Sequence, residues 1–205
     1  GLESHFEGVI DLVHEQAIYF DGPQGQTVRN EPIAEAFRAE ALRAREAMLD
    51  AVSMFSDELT EAMLEDRVTV ELLNQAIRKA TIAQQITPVF VGSAYKNKGV
   101  QALLDGITSY LPAPGDRVHH ANSVDDGHEV PLTGSAQDPL VLMAFKVDDG
   151  RHGQLTYLRI FQGTLKRSST ILNMRTQKKH RVGRLVRMHA EEMEDIDHAI
   201  AGDIV

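Results

Sequence analysis

The chain of 205 residues contains no cysteine and no tryptophan. Without cysteine, disulfide bonds, thiolate catalysis and cysteine-ligated zinc are all excluded. No apolar run approaches the length that a membrane-spanning helix needs, so we expect no membrane partner. Hydrophobic residues make up 42% of the chain and charged residues 25%. This composition is that of an ordinary globular protein, and the length suits one large domain or two modest ones.

Acidic residues are absent from positions 151–190, a stretch that contains ten Lys and Arg residues. Residues 1–150 contain 11 basic and 24 acidic residues, and residues 191–205 contain six acidic and no basic residues. Charge sorted in this way indicates two surfaces with different partners. A solvated basic face is the simpler interpretation, and contact with a phosphate backbone is the functional one. The residues concerned are Lys166, Arg167, Arg175, Lys178, Lys179, Arg181, Arg184 and Arg187.

The first part of the chain begins with strand patterns and continues with helical ones. Residues 6–13 and 18–20 predict two paired strands, and Gly22 and Gly25 predict a turn after them. From residue 32 onward, apolar residues recur every three or four positions and predict a long helix. Its apolar face is Ile33, Phe37, Ala41, Ala44, Met48, Val52 and Phe55, and its charged face includes Glu35, Arg38, Arg45 and Glu46.

Two shorter helices are predicted next. One begins at Ser56 and ends near Leu64, and Thr69 is a candidate N-cap for the other. The buried face of this last helix is expected to contain Leu73, Ile77 and Ala80.

A strand, a tight loop and a helix are predicted between residues 87 and 110, which is a β-α unit of an open α/β sheet. In such sheets ligands bind at the carboxyl ends of strands, so residues 93–99 are the place to look for a ligand. The small side chains of Ser93 and Ala94 would let backbone N–H groups approach a planar ligand edge, such as a guanine carbonyl oxygen. A plain strand-to-helix turn with a serine cap fits the same residues.

The remainder of the chain is predicted to be all-β. Residues 111–115 end the preceding helix and begin a linker, which extends to about residue 139 and contains hairpin tips or exposed connections. Strands are predicted at residues 141–147, 154–162, 170–174, 180–189 and 202–205. Short strands separated by glycines are typical of a small barrel. The fold class is therefore α/β plus all-β.

Several motifs, in order, resemble those of one family. Residues 92–101 read Gly-Ser-Ala-Tyr-Lys-Asn-Lys-Gly-Val-Gln, which resembles the fifth guanine-nucleotide motif of elongation factor G and its next helix. Residues 1–13 look like the segment just past that family's guanine-specificity motif. Residues 144–159 and 187–204 are similar to strands of its domain II. The chain is thus identified as an internal piece of a translational GTPase, most like the mitochondrial lineage and its bacterial relatives.

The resemblance implies a division of the chain and a role for each part. Residues 1–115 would be the end of the GTPase domain, with a helical G-prime insert at about residues 11–86, and residues 116–205 an incomplete domain II barrel. Ser93, Ala94 and Tyr95 would contact the guanine edge. GTP and Mg²⁺ would serve the intact factor, which moves transfer RNA and messenger RNA through the ribosome.

The resemblance also implies partners and a location. The barrel would contact small-subunit ribosomal RNA, and the insert would contact the ribosomal stalk protein. The protein would be a monomer of the cytoplasm or of the mitochondrial matrix.

Motifs that GTP hydrolysis requires are missing from this sequence. It contains no phosphate-cradling Gly-x-x-x-x-Gly-Lys-Ser/Thr loop, no switch motif with a catalytic histidine and no Asn-Lys-x-Asp guanine reader. We therefore expect the chain alone to be inactive, with no catalytic residue and no cofactor of its own. We expect no metal site either, because the histidines, including His119, His120, His128 and His152, lack metal-ligand spacing.

Other interpretations stay open. A tetracycline ribosomal-protection protein or a ribosome-recycling paralogue would carry similar motifs. A non-catalytic RNA-binding module, or a small-molecule-binding α/β enzyme with an appended barrel, represents a different class of protein.

Overall fold

The computed structural model describes residues 5–150, 153–190 and 192–205. The chain forms two compact units, Gly1–Leu111 and Pro112–Val205. His152 and the first four residues, where the resemblance to a GTPase begins, lie outside the described residues. None of the described helices is long and apolar enough to cross a membrane.

The first unit joins an antiparallel sheet to a group of helices. In the sheet, β2 lies between β1 and β3. The elements are β1 (Gly8–Asp11), β2 (Gln16–Asp21), β3 (Thr27–Pro32), α1 (Glu35–Ser53), α2 (Asp57–Leu64), α3 (Val70–Ile82) and α4 (Val100–Tyr110). The predicted pairing of the first two strands is confirmed, with Val9 opposite Ile18. The strand β3 was not predicted, because this edge strand is exposed along its whole length and has no apolar alternation.

The starts of the two short helices are as predicted. Ser56 caps α2 by accepting a hydrogen bond from the Leu59 amide, and Thr69 caps α3 by accepting one from the Leu72 amide. The apolar faces of these helices meet α1 in one hydrophobic core. Its buried members are Val52, Leu59, Leu73, Ala76 and Ile77.

The prediction for the two faces of α1 is partly wrong. Phe37 and Ala44 on the expected apolar face are exposed, because the helical core includes only the C-terminal half of α1, around Met48 and Val52. Arg45, assigned to the charged outer face, is only 12% exposed. Its guanidinium donates hydrogen bonds to the carbonyl oxygens of Leu12 and Val13, the latter at 3.1 Å. Arginine can take this place because its several N–H groups satisfy carbonyls that the β1–β2 ladder leaves without a partner.

Replacing Arg45 by methionine should lower the free energy of unfolding by about 1–3 kcal/mol, because two partly buried carbonyls lose a charged donor. Arg45 also pairs with Glu15 at 3.3 Å, but the Glu15 side chain is 59% exposed. Glu15→Gln is therefore the matched control and should cost less than about 1 kcal/mol. Urea denaturation followed by circular dichroism measures both variants. Equal losses would mean that the ion pair, rather than the carbonyl contacts, accounts for the effect.

The prediction of a strand at residues 87–91 is not fulfilled, since no described strand pairs with these residues. Val89 and Val91 are 82% and 64% exposed, whereas Phe90 between them packs toward α4, with its ring centroid 6.3 Å from that of Tyr110. Exposed and packed side chains therefore alternate in this segment as they do in a strand, but no described strand is hydrogen-bonded to it. A strand needs at least one hydrogen-bonded neighbour, and the described residues supply none for this segment.

The second unit consists of short strands around its own core. The pairs are β4 with β5, β6 with β7, β8 with β13, β9 with β10, and β11 with β12, all antiparallel. The strands are β4 (His119–Asn122), β5 (Glu129–Leu132), β6 (Val141–Gly150), β7 (Gly153–Gln162), β8 (Thr164–Lys166), β9 (Thr170–Asn173), β10 (Lys178–Arg181), β11 (Val186–His189), β12 (Glu192–Asp195) and β13 (His198–Ile200). The buried core is Ile160, Leu165, Leu185, Ala199 and Val205.

The single strand predicted at residues 180–189 is wrong, because the chain changes partner within it. The Val182 amide still donates to Ser169 near β9, whereas the Leu185 carbonyl already accepts from Ile196 beyond β12. The strand β10 therefore ends at Arg181, and β11 begins at Val186. The strands β8, β12 and β13 were missed because each has only three or four residues. Residues 202–205 do join β7, where the Leu158 and Val205 backbones exchange two hydrogen bonds.

Candidate functional site

The candidate ligand loop, residues 93–98, is a tight turn that leads into α4. Ser93 and Lys98 exchange backbone hydrogen bonds of 2.8 and 3.0 Å. Gly92 and Gly99 lie just outside this pair, and a Cβ atom on Gly92 would be 2.6 Å from the Lys98 carbonyl oxygen. Gly99 also has a φ of +87°, which favours glycine. The two glycines therefore permit the close approach that shapes the loop.

Two of the three predicted guanine-edge residues present amides that the loop does not use. The Ser93 amide donates to Lys98, so it is occupied within the loop. Neither the Ala94 amide nor the Tyr95 amide has a hydrogen-bond acceptor among the described residues. Both residues are exposed, and the Tyr95 side chain is fully so. Two adjacent exposed N–H groups can donate to a carbonyl oxygen of a ligand.

The predicted basic surface divides into two main parts, and Lys166 and Arg167 at the end of β8 are exposed beside them in the sequence. We call the first part, β9–β10 with its turn (residues 170–181), the basic hairpin. It contains Arg175, Lys178, Lys179 and Arg181, all exposed and without an ion pair among the described residues. Lys179 and Arg181 alternate with His180, which is opposite the partly buried Ile171. The two cations therefore point to the face of the hairpin away from the core.

The second part of the basic stretch is neutralised by the acidic end of the chain. Arg184 donates two hydrogen bonds of 2.7 and 2.8 Å to the Asp195 carboxylate, and Arg187 lies 3.6 Å from Asp203. The hydrogen bond from Arg184 holds the pKa of the Asp195 carboxyl below its ordinary value. Charges that are separated along the sequence thus meet at two places, at the end of β12 for Arg184 and beyond β13 for Arg187. Sequence reasoning missed these pairs, because strand pairing sets them.

No group of three or more His, Asp or Glu side chains suited to a metal ion occurs in the described part of the chain. His120 lies 3.9 Å from Glu129 across β4 and β5, and His128 contacts Asp126 within the turn that joins these strands. His119 packs edge-on against Phe161, with ring centroids 5.0 Å apart. None of these three contacts brings together a set of metal ligands.

Residues 153–205, which contain β7 to β13, match the family described as Elongation factor Tu domain 2. This match indicates that the second unit contains a segment related to domain 2 of a translation factor. The whole chain is 57% identical to Elongation factor G 2 of Anaeromyxobacter dehalogenans and 50% identical to Elongation factor G 1 of Treponema pallidum. It is 47% identical to "Elongation factor G-1, mitochondrial" of Arabidopsis thaliana. The resemblance to elongation factor G predicted from the motifs is thus confirmed over the whole chain.

The chain spans 30% of the two bacterial relatives and 28% of the Arabidopsis protein. Its fold is similar to that of a Thermus thermophilus protein of known crystal structure, with a TM-score of 0.72 and 26% sequence identity. That alignment covers 97% of this chain and 27% of the Thermus chain.

Proposed function

We propose that this chain is part of a translation elongation factor G, which uses GTP hydrolysis to move transfer RNA and messenger RNA during elongation. The observation that carries the proposal is the 57% identity over the full chain to a protein named elongation factor G. The same stretch includes the loop with two exposed, unused amides. The motifs for phosphate binding and catalysis are not in this sequence, so the chain is expected to be inactive alone.

In this proposal residues 93–98, the guanine loop, hold the base of GTP. The Ala94 and Tyr95 amides donate to the guanine carbonyl oxygen, and the small side chains of Ser93 and Ala94 leave room for the planar ring. This donor arrangement fits the guanine end of the nucleotide. Mg²⁺ and the phosphates would be held elsewhere in the intact factor, because the phosphate-binding motifs are not in this sequence.

The proposal assigns residues 1–115 to the end of the GTPase domain and residues 116–205 to domain II. The helical segment within residues 11–86 would be the G-prime insert, which meets the ribosomal stalk protein. The exposed side chains of Phe37 and Leu42 on α1, beside charged Arg38 and Arg43, support a protein-binding role for this helix. The factor would act as a monomer, in the cytoplasm or in the mitochondrial matrix.

A chimera tests the assignment. The matching 206-residue segment of the Anaeromyxobacter factor is replaced by this chain, and GDP binding and ribosome-stimulated GTP hydrolysis are measured. Both activities should persist, because the rest of that factor supplies the remaining parts. A folded chimera that binds no GDP would contradict the proposed function. Chimera activity in translocation assays, compared with recycling and tetracycline-protection assays, separates elongation from the paralogous functions.

The basic hairpin should bind small-subunit ribosomal RNA through phosphate contacts. Lys179→Gln with Arg181→Gln should lower the slope of log affinity against log salt concentration by about 1.5, since each lost phosphate contact contributes about 0.7–0.9. Filter binding of the chain to this RNA at several salt concentrations measures the slope.

The matched control for the basic hairpin is Arg38→Gln with Arg43→Gln, which removes two exposed charges from α1 in the first unit. The control should leave the slope unchanged. Equal slopes for the two double variants would show that net charge, rather than the hairpin, drives the binding. A chain that binds RNA although its chimera fails to bind GDP would favour the non-catalytic RNA-binding module.

A further inference from the structure

The turn between β2 and β3 lies against the guanine loop, although the two segments are far apart in the sequence. The Asn97 side-chain amide donates a 2.9 Å hydrogen bond to the Gln24 carbonyl oxygen, across 73 positions. The Gln101 side-chain amide, at the start of α4, donates a 3.2 Å hydrogen bond to the Gly25 carbonyl oxygen. Two consecutive carbonyls of the turn are therefore bound by the loop and by the helix that follows it.

Gly25 brings the two backbones close together. It is buried and has a φ of +59°. A Cβ atom at this position would be 2.7 Å from the Asn97 carbonyl oxygen and 3.3 Å from that of Lys96. Any side chain larger than hydrogen would therefore push the loop away from the turn.

The same contact is connected to the two unused amides through planar peptide groups. The Asn97 amide donates a 3.0 Å hydrogen bond to the Ala94 carbonyl oxygen. This carbonyl belongs to the same rigid peptide group as the Tyr95 N–H, so the position of Asn97 orients that N–H. The Ser93 carbonyl, which accepts from Lys96 and Lys98, orients the Ala94 N–H in the same way.

We propose that the β2–β3 turn is a brace for the guanine loop. Gln24 and Gly25 act through Asn97 as positioning residues for the Tyr95 amide, and Gly25 acts through Lys96, whose amide donates to the Ser93 carbonyl, as a positioning residue for the Ala94 amide. This inference rests on the proposed function, because the amides matter only if the loop holds a guanine. It gives the β2–β3 hairpin, part of the insert, a role in nucleotide affinity that is separate from any partner contact.

Gly25→Ala tests the brace, and Gly22→Ala in the same turn is its matched control. Gly22 has a φ of +88°, and a Cβ atom added there would meet nothing within 4 Å. Both variants thus carry the cost of alanine at positive φ, but only Gly25→Ala displaces Asn97. In NMR spectra of this chain, Gly25→Ala should shift the Ala94 and Tyr95 amide signals, and Gly22→Ala should leave them in place.

In the chimera, Gly25→Ala should weaken GDP binding about five- to tenfold, the effect of losing one hydrogen bond. Inosine diphosphate shares the guanine carbonyl oxygen but lacks the 2-amino group. Its binding should weaken by the same factor. The ratio of the two affinities should therefore stay constant, which places the lost interaction at the carbonyl oxygen and not at the 2-amino group. A general loss of structure would also keep this ratio constant, so the Gly22→Ala control and the amide spectra are what exclude it. Should Gly25→Ala fail to fold, Asn97→Gly removes the bond to Gln24 while accepting the positive φ of Asn97.

Two failures can be told apart. A wild-type chimera that binds no GDP overturns the proposed function, and the nucleotide role of the brace with it. A wild-type chimera that binds GDP, with Gly25→Ala and Gly22→Ala binding equally well and giving the same amide spectra, overturns the brace alone.

Discussion

Replacing Leu73 by alanine should lower the free energy of unfolding of the first unit by about 3 kcal/mol. Leu73 is 0% exposed on α3 and packs in one cluster with Val52, Leu59 and Ile77. Removing a fully buried leucine side chain costs about 2–5 kcal/mol, because both the transfer free energy and the packing around the cavity are lost. Hydrogen exchange should show α1 to α3 losing protection, with β7 of the second unit as internal reference.

The control for Leu73 is Leu64→Ala. Leu64 ends α2 and is 84% exposed, so the same chemical change should alter the free energy of unfolding by no more than about 0.5 kcal/mol. The comparison separates burial from the small difference in helix propensity between leucine and alanine. If the two variants were equally stable, α1 to α3 would not share the packed core described above.

The second large effect is expected for Gly163→Ala between β7 and β8. Gly163 is buried with a φ of +81°, and a Cβ atom there would be 2.6 Å from the Leu140 Cα atom and 2.7 Å from the Asp138 carbonyl oxygen. Alanine at this φ costs about 1–2 kcal/mol, and overpacking adds about 1–3 kcal/mol. The obstructing atoms are backbone and cannot rotate away. We expect a total loss of about 2–5 kcal/mol in the second unit.

Gly127→Ala provides the comparison for Gly163. Its φ of +73° is similar, and an added Cβ atom would meet nothing within 4 Å. The strain of positive φ is then partly offset by the lower entropy of the unfolded chain, so the net loss should be about 1 kcal/mol or less. Urea denaturation of both variants, with hydrogen exchange assigned to the second unit, measures the difference. Similar losses would mean that positive φ alone, and not the close backbone approach, makes Gly163 necessary.

The guanine loop illustrates what could and could not be predicted at the site. Its position before α4 and its small side chains followed from residues 92–99, because a turn into a helix is a local feature. The brace could not be predicted, since Gly25 looks like any turn glycine until the loop is placed against it. A role for Ser93, Ala94 and Tyr95 in guanine binding stays a prediction until the chimera is tested.

The distribution of charge along the sequence also predicted only part of the charged surface. The sequence shows a basic stretch followed by an acidic one, which indicates two separate surfaces. In the structure Arg184 contacts Asp195 at the end of β12 and Arg187 contacts Asp203 beyond β13, whereas the basic hairpin keeps its charge exposed. The hypothesis of a phosphate-binding surface therefore loses Arg184 and Arg187, and keeps residues 170–181 together with the exposed Lys166 and Arg167.

By itself, the sequence determined the helix starts at Ser56 and Thr69, the turn glycines and the resemblance to elongation factor G. These features depend on residues within a few positions of one another, or on an ordered series of motifs. Only the tertiary structure decided that Arg45 turns inward, that residues 180–189 divide between two partners and that Gly25 meets Asn97. Each of these features depends on a contact between segments that are distant in the sequence. A local sequence pattern does not show which distant segments will come into contact.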